Sequence, residues 1–228
     1  MSTLGTQRIL EVHSLLVPPS GGWIADVALD STALPPLGST ALTIGDLQLV
    51  GAVTAAGYDD HPVGGARPRV IVEGGAGWGL VLARGGAYEA PEGVRLSTVL
   101  GDLAALVGEP YDAPDDVLLT PGYGWAIPTA HWPVTGRAVL ADLVARGAVP
   151  TWRVAPSGRT RFDGWPSSGA ADGAVRVTSR NLARARRHVA CDQRVAALLP
   201  GATLEGVTIR RLLVRETASA ITAEVYGL

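Results

Sequence analysis

Apolar residues alternate with polar ones at both ends of this chain and follow a helical period only in its middle. A strand points every second side chain to one face, whereas a helix repeats every 3.6 residues. The pattern therefore demands an α+β protein that is mainly β, with a small helical segment between two β-rich ends. In GWIADVALD, Trp23, Ala25, Val27 and Leu29 share one face, and Asp26 and Asp30 lie on the other. TALTI and LQLVGAV flank Gly45-Asp46, a two-residue hairpin turn in which glycine supplies a positive φ. PRVIVEG and WGLVLA read as further strands across a glycine-rich link. Strands at this spacing, punctuated by 29 Gly and 16 Pro, fold as a barrel or sandwich.

The period changes after residue 95. LSTVLGDLAALVGE sets Leu96, Val99, Leu100, Leu103, Leu106 and Val107 on one helical stripe, with Ser97 as the expected cap and Gly108 as the stop. TGRAVLADLVARG repeats the design with Thr135 as cap, Val139, Leu140, Leu143 and Val144 as stripe, and Gly147 as stop. TWRVAPSGRTRFDGW then reads as a hairpin turning at Pro156-Ser157-Gly158. The last 60 or so residues return to strands. ARARRHVACDQRVAALL fits helix and strand equally. The closing hairpin pairs GVTIRRLLVRE with SAITAEVYG, and its face switches at Arg210-Arg211, which predicts a β-bulge or a strand that turns a barrel corner. No internal repeat of fixed period is apparent. The expected division is 1–95 as a first barrel, 96–166 as an inserted α+β segment, and 167–228 as a second barrel half that closes the sheet.

Composition narrows the function. No apolar run approaches the length of a membrane span, and the N-terminus lacks the basic start and apolar stretch of a secretory signal. A single cysteine, Cys191, rules out an internal disulfide framework and fits synthesis in a reducing cytoplasm. Every basic residue is arginine, so a phosphate loop built on Gly-Lys-Ser/Thr is absent. Acids outnumber arginines in residues 1–116, and arginines outnumber acids in 117–228, an asymmetry suited either to pairing between subunits or to neutralisation within one molecule.

Catalytic chemistry finds no anchor: no nucleophile elbow, no Ser/His/Asp or Cys/His arrangement and no dinucleotide fingerprint is evident. Neither a catalytic residue, a metal nor a cofactor is expected. Asp59, Asp60 and His61 form the nearest candidate metal cluster, and His188 with Cys191 offers two ligands without companions; a solvated loop is the simpler account of the first. Trp125, Trp132, Trp152 and Trp165 fall in or beside loops, where they fill a small core or, at Trp125 and Trp132, stack sugars. Arg180, Arg184, Arg186 and Arg187 form a basic cluster without interleaved aromatics. A subunit contact or a solvated arginine face suits it better than specific nucleic-acid binding.

The order of parts resembles the baseplate hub proteins of tailed bacteriophages, the family that includes the late-control D-type and T4-type hubs. The resemblance rests on an early hairpin with Leu42, Ile44, Leu49, Gly51 and Val53, a mid-chain hairpin turning at Gly158, and a last pair of strands following Pro200, Gly201, Gly206 and Ile209. It implies two small tail-tube-like β-barrels with the helical segment inserted. It also implies a homotrimeric ring of pseudo-sixfold symmetry that adapts the hexameric tail tube to the central spike. The implied partners are the tail tube protein, the tail spike, the C-terminus of the tape measure protein and the baseplate wedge proteins. The implied location is the virion tail, at baseplate or tail tip, after synthesis in the bacterial host. Interface residues are then expected at Arg180, Arg184, Arg186, Arg187, Arg210 and Arg211, and structural turns at Gly45, Gly51, Gly158, Pro200, Gly201 and Gly206. Three alternatives stand beside it: a carbohydrate- or receptor-binding tail accessory using Trp125 and Trp132, the hub of a phage-like contractile injection system, and a small hydrolase.

Overall fold

The computed structural model describes residues 2–61, 65–126, 129 and 131–227. Strands Thr3–Leu4 (β1), Gln7–Val17 (β2), Ile24–Leu29 (β3), Gly38–Ile44 (β4), Leu47–His61 (β5) and Gly65–Glu73 (β6) pair in the order β1-β4-β5-β6-β3-β2. β2 returns to β1 through Thr3↔Arg8 and Leu4↔Gln7, so the six strands close into a barrel. The alternation read from GWIADVALD is the reason: Ala25, Val27 and Leu29 face inward and are fully buried with Leu15, Val17, Leu42, Val70 and Val72. Gly45-Asp46 is the turn of the β4–β5 hairpin, with Ile44 opposite Leu47 and Gly45 at φ 59°. Gly51 serves packing as well: a Cβ there would stand 2.8 Å from the buried Trp23 ring.

By its internal contacts the chain forms two units, residues 1–74 with 165–228, and residues 75–164. Residues 75–95, assigned from sequence to the first barrel, thus belong to the second unit. WGLVLA is no strand: Ala76–Gly79 is a 3₁₀ turn, entered through Gly75 at φ 68°, and Leu80 and Val81 lie exposed. Four glycines in six residues, from Gly74 to Gly79, remove the side-chain alternation a strand needs.

This second unit contains Gly86–Glu89 (β7), Val94–Arg95 (β8), Leu96–Val107 (α1), Leu118–Leu119 (β9), Gly122–Trp125 (β10), Gly136–Ala145 (α2), Arg153–Val154 (β11) and Thr160–Arg161 (β12). The two helical stripes bury Leu96, Val99, Leu100, Leu103 and Val107 from α1, and Val139, Leu140 and Leu143 from α2. Thr135 caps α2 by accepting from the Ala138 N–H, and Gly108 ends α1 at φ 71°. Ser97 is not the cap of α1. Arg95 occupies that position, and the free Ser97 N–H donates instead to Asp116 Oδ1 at 3.0 Å, a carboxylate brought from 19 residues away. β11 and β12 form the hairpin expected around Gly158, which sits at φ 82°.

The remaining strands are Arg176–Asn181 (β13), Arg186–Cys191 (β14), Thr203–Leu204 (β15), Val207–Glu216 (β16) and Ile221–Gly227 (β17). They continue the first sheet from β2 in the order β16-β17-β14-β13, with β15 on β16. The ambiguous arginine-rich stretch is therefore strand, with Arg187, Val189 and Cys191 on its buried face. The bulge at Arg210 is present, and it keeps Ile209, Leu212 and Val214 on one buried face despite their odd spacing. Isolated parallel bridges Ala170↔Thr203 and Asp172↔Val175 lie beside these strands in a second, less regular barrel.

Candidate functional site

The two barrels are copies of one design. β2–β3 carries a bulge between Val12 and Ser14 opposite Val27, and β13–β14 carries one between Val177 and Ser179 opposite Val189. The Gly74 N–H bonds the carbonyl of Trp23, just before β3; the Gly227 N–H bonds the carbonyl of Ala185, just before β14. The β4–β5 turn, Gly45-Asp46, has its counterpart in Glu205-Gly206 between β15 and β16, where Glu205 and Gly206 both take positive φ. Strands β2 to β6 thus correspond in order to β13 to β17. Ala170 bridges Thr203 in parallel, whereas Thr3 pairs with Thr43 antiparallel, so the likeness does not extend to the short strand β1.

The copies join where β2 meets β16 antiparallel, through Leu212↔Val17, Leu213↔Leu16 and Val214↔Leu15. Leu15, Val17, Leu212 and Val214 are fully buried there. Each such side chain contributes about 1.5–3 kcal/mol of hydrophobic stabilisation. Two edges of this sheet remain open among the described residues. β4 covers β5 only from Leu47 to Val53, and the outer edge of β13 has no strand partner among the described residues.

The arginines expected at an interface fall into distinct environments. Arg180 and Arg187 both bind Glu205, with Nε atoms 2.8 and 3.0 Å from Oε2. Arg187 is 7% exposed, which this carboxylate makes tolerable. Arg186 donates to His188 Nε2 at 3.1 Å and lies 3.5 Å from Glu224, and the Arg211 guanidinium sits 5.5 Å from the Tyr226 ring centre. Arg184 and Arg210 are exposed. Sequence reasoning missed Glu205 because a turn residue gives no periodic signal; its φ of 52° is the trace it leaves in structure.

The hydrogen bonds from Arg180 and Arg187 lower the Glu205 carboxyl from 4.5 to about 2. A carboxyl depressed on folding stabilises the fold above its unfolded pKa and loses that contribution as pH falls through the folded value. Thermal melts should therefore show wild-type protein losing stability between about pH 4.5 and 2 more steeply than Glu205→Gln. Parallel curves for the two proteins would contradict this assignment.

The loop tryptophans are dispersed. Trp132 is 74% exposed. Trp125 donates from Nε1 to the Arg84 carbonyl at 3.1 Å and packs 5.7 Å from Tyr88 and 6.5 Å from Tyr123. Trp152 is buried beside Trp78, and Trp165 Nε1 donates to the Pro18 carbonyl. Among the described residues no group of three His, Cys, Asp or Glu side chains is placed to hold a metal ion. The side chains of Asp60 and His61 lie outside the described residues. His188 and Cys191, three apart on β14, point to opposite faces. Burial pushes the Cys191 thiol up to about 12, which keeps it protonated and unreactive at neutral pH. No helix is long and apolar enough to cross a membrane among the described residues.

No family model matches the sequence, and no curated protein matches it. Solved structures do. The Escherichia coli c3393 protein, described as a component of the type VI secretion system with structural similarity to the T4 bacteriophage tail proteins gp27 and gp5, is similar over 100% of this chain and 77% of its own, at TM-score 0.63 and 10% identity. The 43 kDa tail protein of prophage MuSo2 from Shewanella oneidensis is similar over 100% of this chain and 96% of its own, at TM-score 0.57 and 10% identity. A tail protein from Neisseria meningitidis MC58 is similar over 98% and 95%, at TM-score 0.60 and 10% identity. The chain shares the fold of these proteins.

Proposed function

We propose that this chain is a structural hub of a bacteriophage tail, at the baseplate or tail tip, synthesised in the bacterial host. Three copies form a ring of six barrels that meets the hexameric tail tube on one side and the central spike on the other. The observation that carries this reading is the tandem barrel: a chain holding two copies of one sheet in continuous register presents six equivalent units when three chains assemble. The likeness to solved tail proteins supports it. The role is mechanical, exercised through shape and interfaces, with the tape measure C-terminus and the baseplate wedge proteins as further partners. The likeness to a type VI secretion component favours a second reading, the same hub in an injection machine.

Native mass measurement, with and without the spike protein, tests the proposal. A trimer is expected. A monomer at the highest soluble concentration that also fails to bind the spike overturns it.

A further inference from the structure

We infer that β13 of one copy adds antiparallel to the outer edge of β5 of the next copy, with Asn181 opposite Ala55. This inference rests on the ring reading above and specifies how its copies join.

The junction inside the chain is the template. Within one copy, β2 of the first barrel pairs with β16 of the second. Matched bulges make β13 the counterpart of β2, and the matched hairpins make β5 the counterpart of β16. The mirror of the internal junction is thus a contact between β13 and β5. Those are edges that the large sheet leaves open among the described residues: its end at β13, and β5 beyond Val53. One copy leaves the contact unmade: β5 and β13 are the first and last of eight consecutive strands, β5-β6-β3-β2-β16-β17-β14-β13, and do not pair with each other among the described residues. A second copy can make it, and a head-to-tail contact of this kind closes into a ring when its rotation permits.

The register follows from the strands between. Leu16 pairs with Ile24 as Asn181 pairs with Arg186. Ala55 lies opposite Ile71 as Leu213 lies opposite Glu224. The internal pair Leu213↔Leu16 therefore becomes Ala55 opposite Asn181. In the same register Arg176 comes opposite Asp59.

Three further observations fit this occupant. The free stretch of β5 reads Thr54-Ala55-Ala56-Gly57, small residues with Ala55 and Gly57 exposed, and a Cβ on Gly57 would meet nothing within 4 Å. That leaves room for an approaching strand. Open edges carry unpaired N–H and C=O groups and are seldom left uncovered in stable proteins. Charge also matches: acids outnumber arginines in residues 1–74, and arginines outnumber acids in 165–228, so the first barrel of one copy attracts the second barrel of another.

Disulfide trapping tests the register. In a Cys191→Ser background, the double variant Asn181→Cys/Ala55→Cys is oxidised and run on a denaturing gel beside Arg176→Cys/Ala55→Cys. In the second pair the partners stand about 13 Å apart along the strands, beyond disulfide reach. The first variant should shift to a covalent species of three chain masses and the second should remain at one. Native mass measurement accompanies both. A trimer that crosslinks neither pair, or both alike, overturns the strand pairing and leaves the hub reading intact. A monomer that crosslinks neither pair overturns both.

Discussion

Replacing Trp23 with alanine should destabilise residues 1–74 and 165–228 by about 3–5 kcal/mol and lower their melting temperature by roughly 10 °C. Trp23 is 1% exposed, and its ring is wedged against two glycines, Gly51 in β5 and Gly74 just after β6. Deleting it removes the largest apolar group of the first barrel and leaves a cavity that the closed sheet cannot collapse around. Trp23→Phe should be far milder, because Trp23 Nε1 has no hydrogen-bond partner among the described residues and its loss relieves an unpaired buried donor. Gly74→Ala provides the coupled test. Its new methyl would fall within the indole, so its cost should largely vanish in the Trp23→Ala background. Urea melts of the single and double variants decide the matter; additive costs would show that ring and glycine do not share one packing site.

The second large effect is expected in residues 75–164. Trp78 is fully buried, and its Nε1 donates to Thr160 Oγ1 at 2.7 Å, itself without exposure. The ring lies 6.5 Å from Trp152, and a Cβ on Gly136, the first residue of α2, would come 3.0 Å from Trp78 Cε3. One side chain thus supports both the β11–β12 hairpin and the start of α2. Trp78→Ala should cost about 3–5 kcal/mol for the lost ring and a further 1–3 kcal/mol, roughly, for the stranded Thr160 hydroxyl. Hydrogen exchange should then rise across α2 and β12. Trp78→Phe with Thr160→Val should be more stable than Trp78→Phe alone, since the pair removes donor and acceptor together. If the double variant is the weaker of the two, the hydrogen bond is not what ties the ring to the hairpin.

Features written in neighbouring residues were legible in the sequence. Gly45-Asp46, Thr135, Gly158 and the Arg210 bulge each act through a turn, a cap or a period that spans a few positions. Features made by distant partners were not. β1 closes the first barrel with two residues, too few to show any period. Arg187 reads as a solvated charge until Glu205 arrives from 18 residues away. Asp116 supplants Ser97 at the start of α1 for the same reason. The duplication escaped notice because the copies preserve bulges and turns more than letters: Val12-His13-Ser14 and Val177-Thr178-Ser179 share a backbone irregularity, and their two matching residues are too short a run to signal a repeat. The open edges of β5 and β13 became visible only once pairing showed where each partner strand stops.

The pairing of β2 with β16 has a consequence for biosynthesis. Val12 to Val17 leaves the ribosome long before Leu212 to Glu216, the strand that covers it. At about 5–20 residues per second, the nascent chain holds the Leu15-Leu16-Val17 edge uncovered for roughly 10–40 s while everything between is translated. Slowing translation between these two strands, or depleting holdase chaperones, should therefore send this protein into inclusion bodies well before it affects proteins whose paired strands are neighbours in sequence.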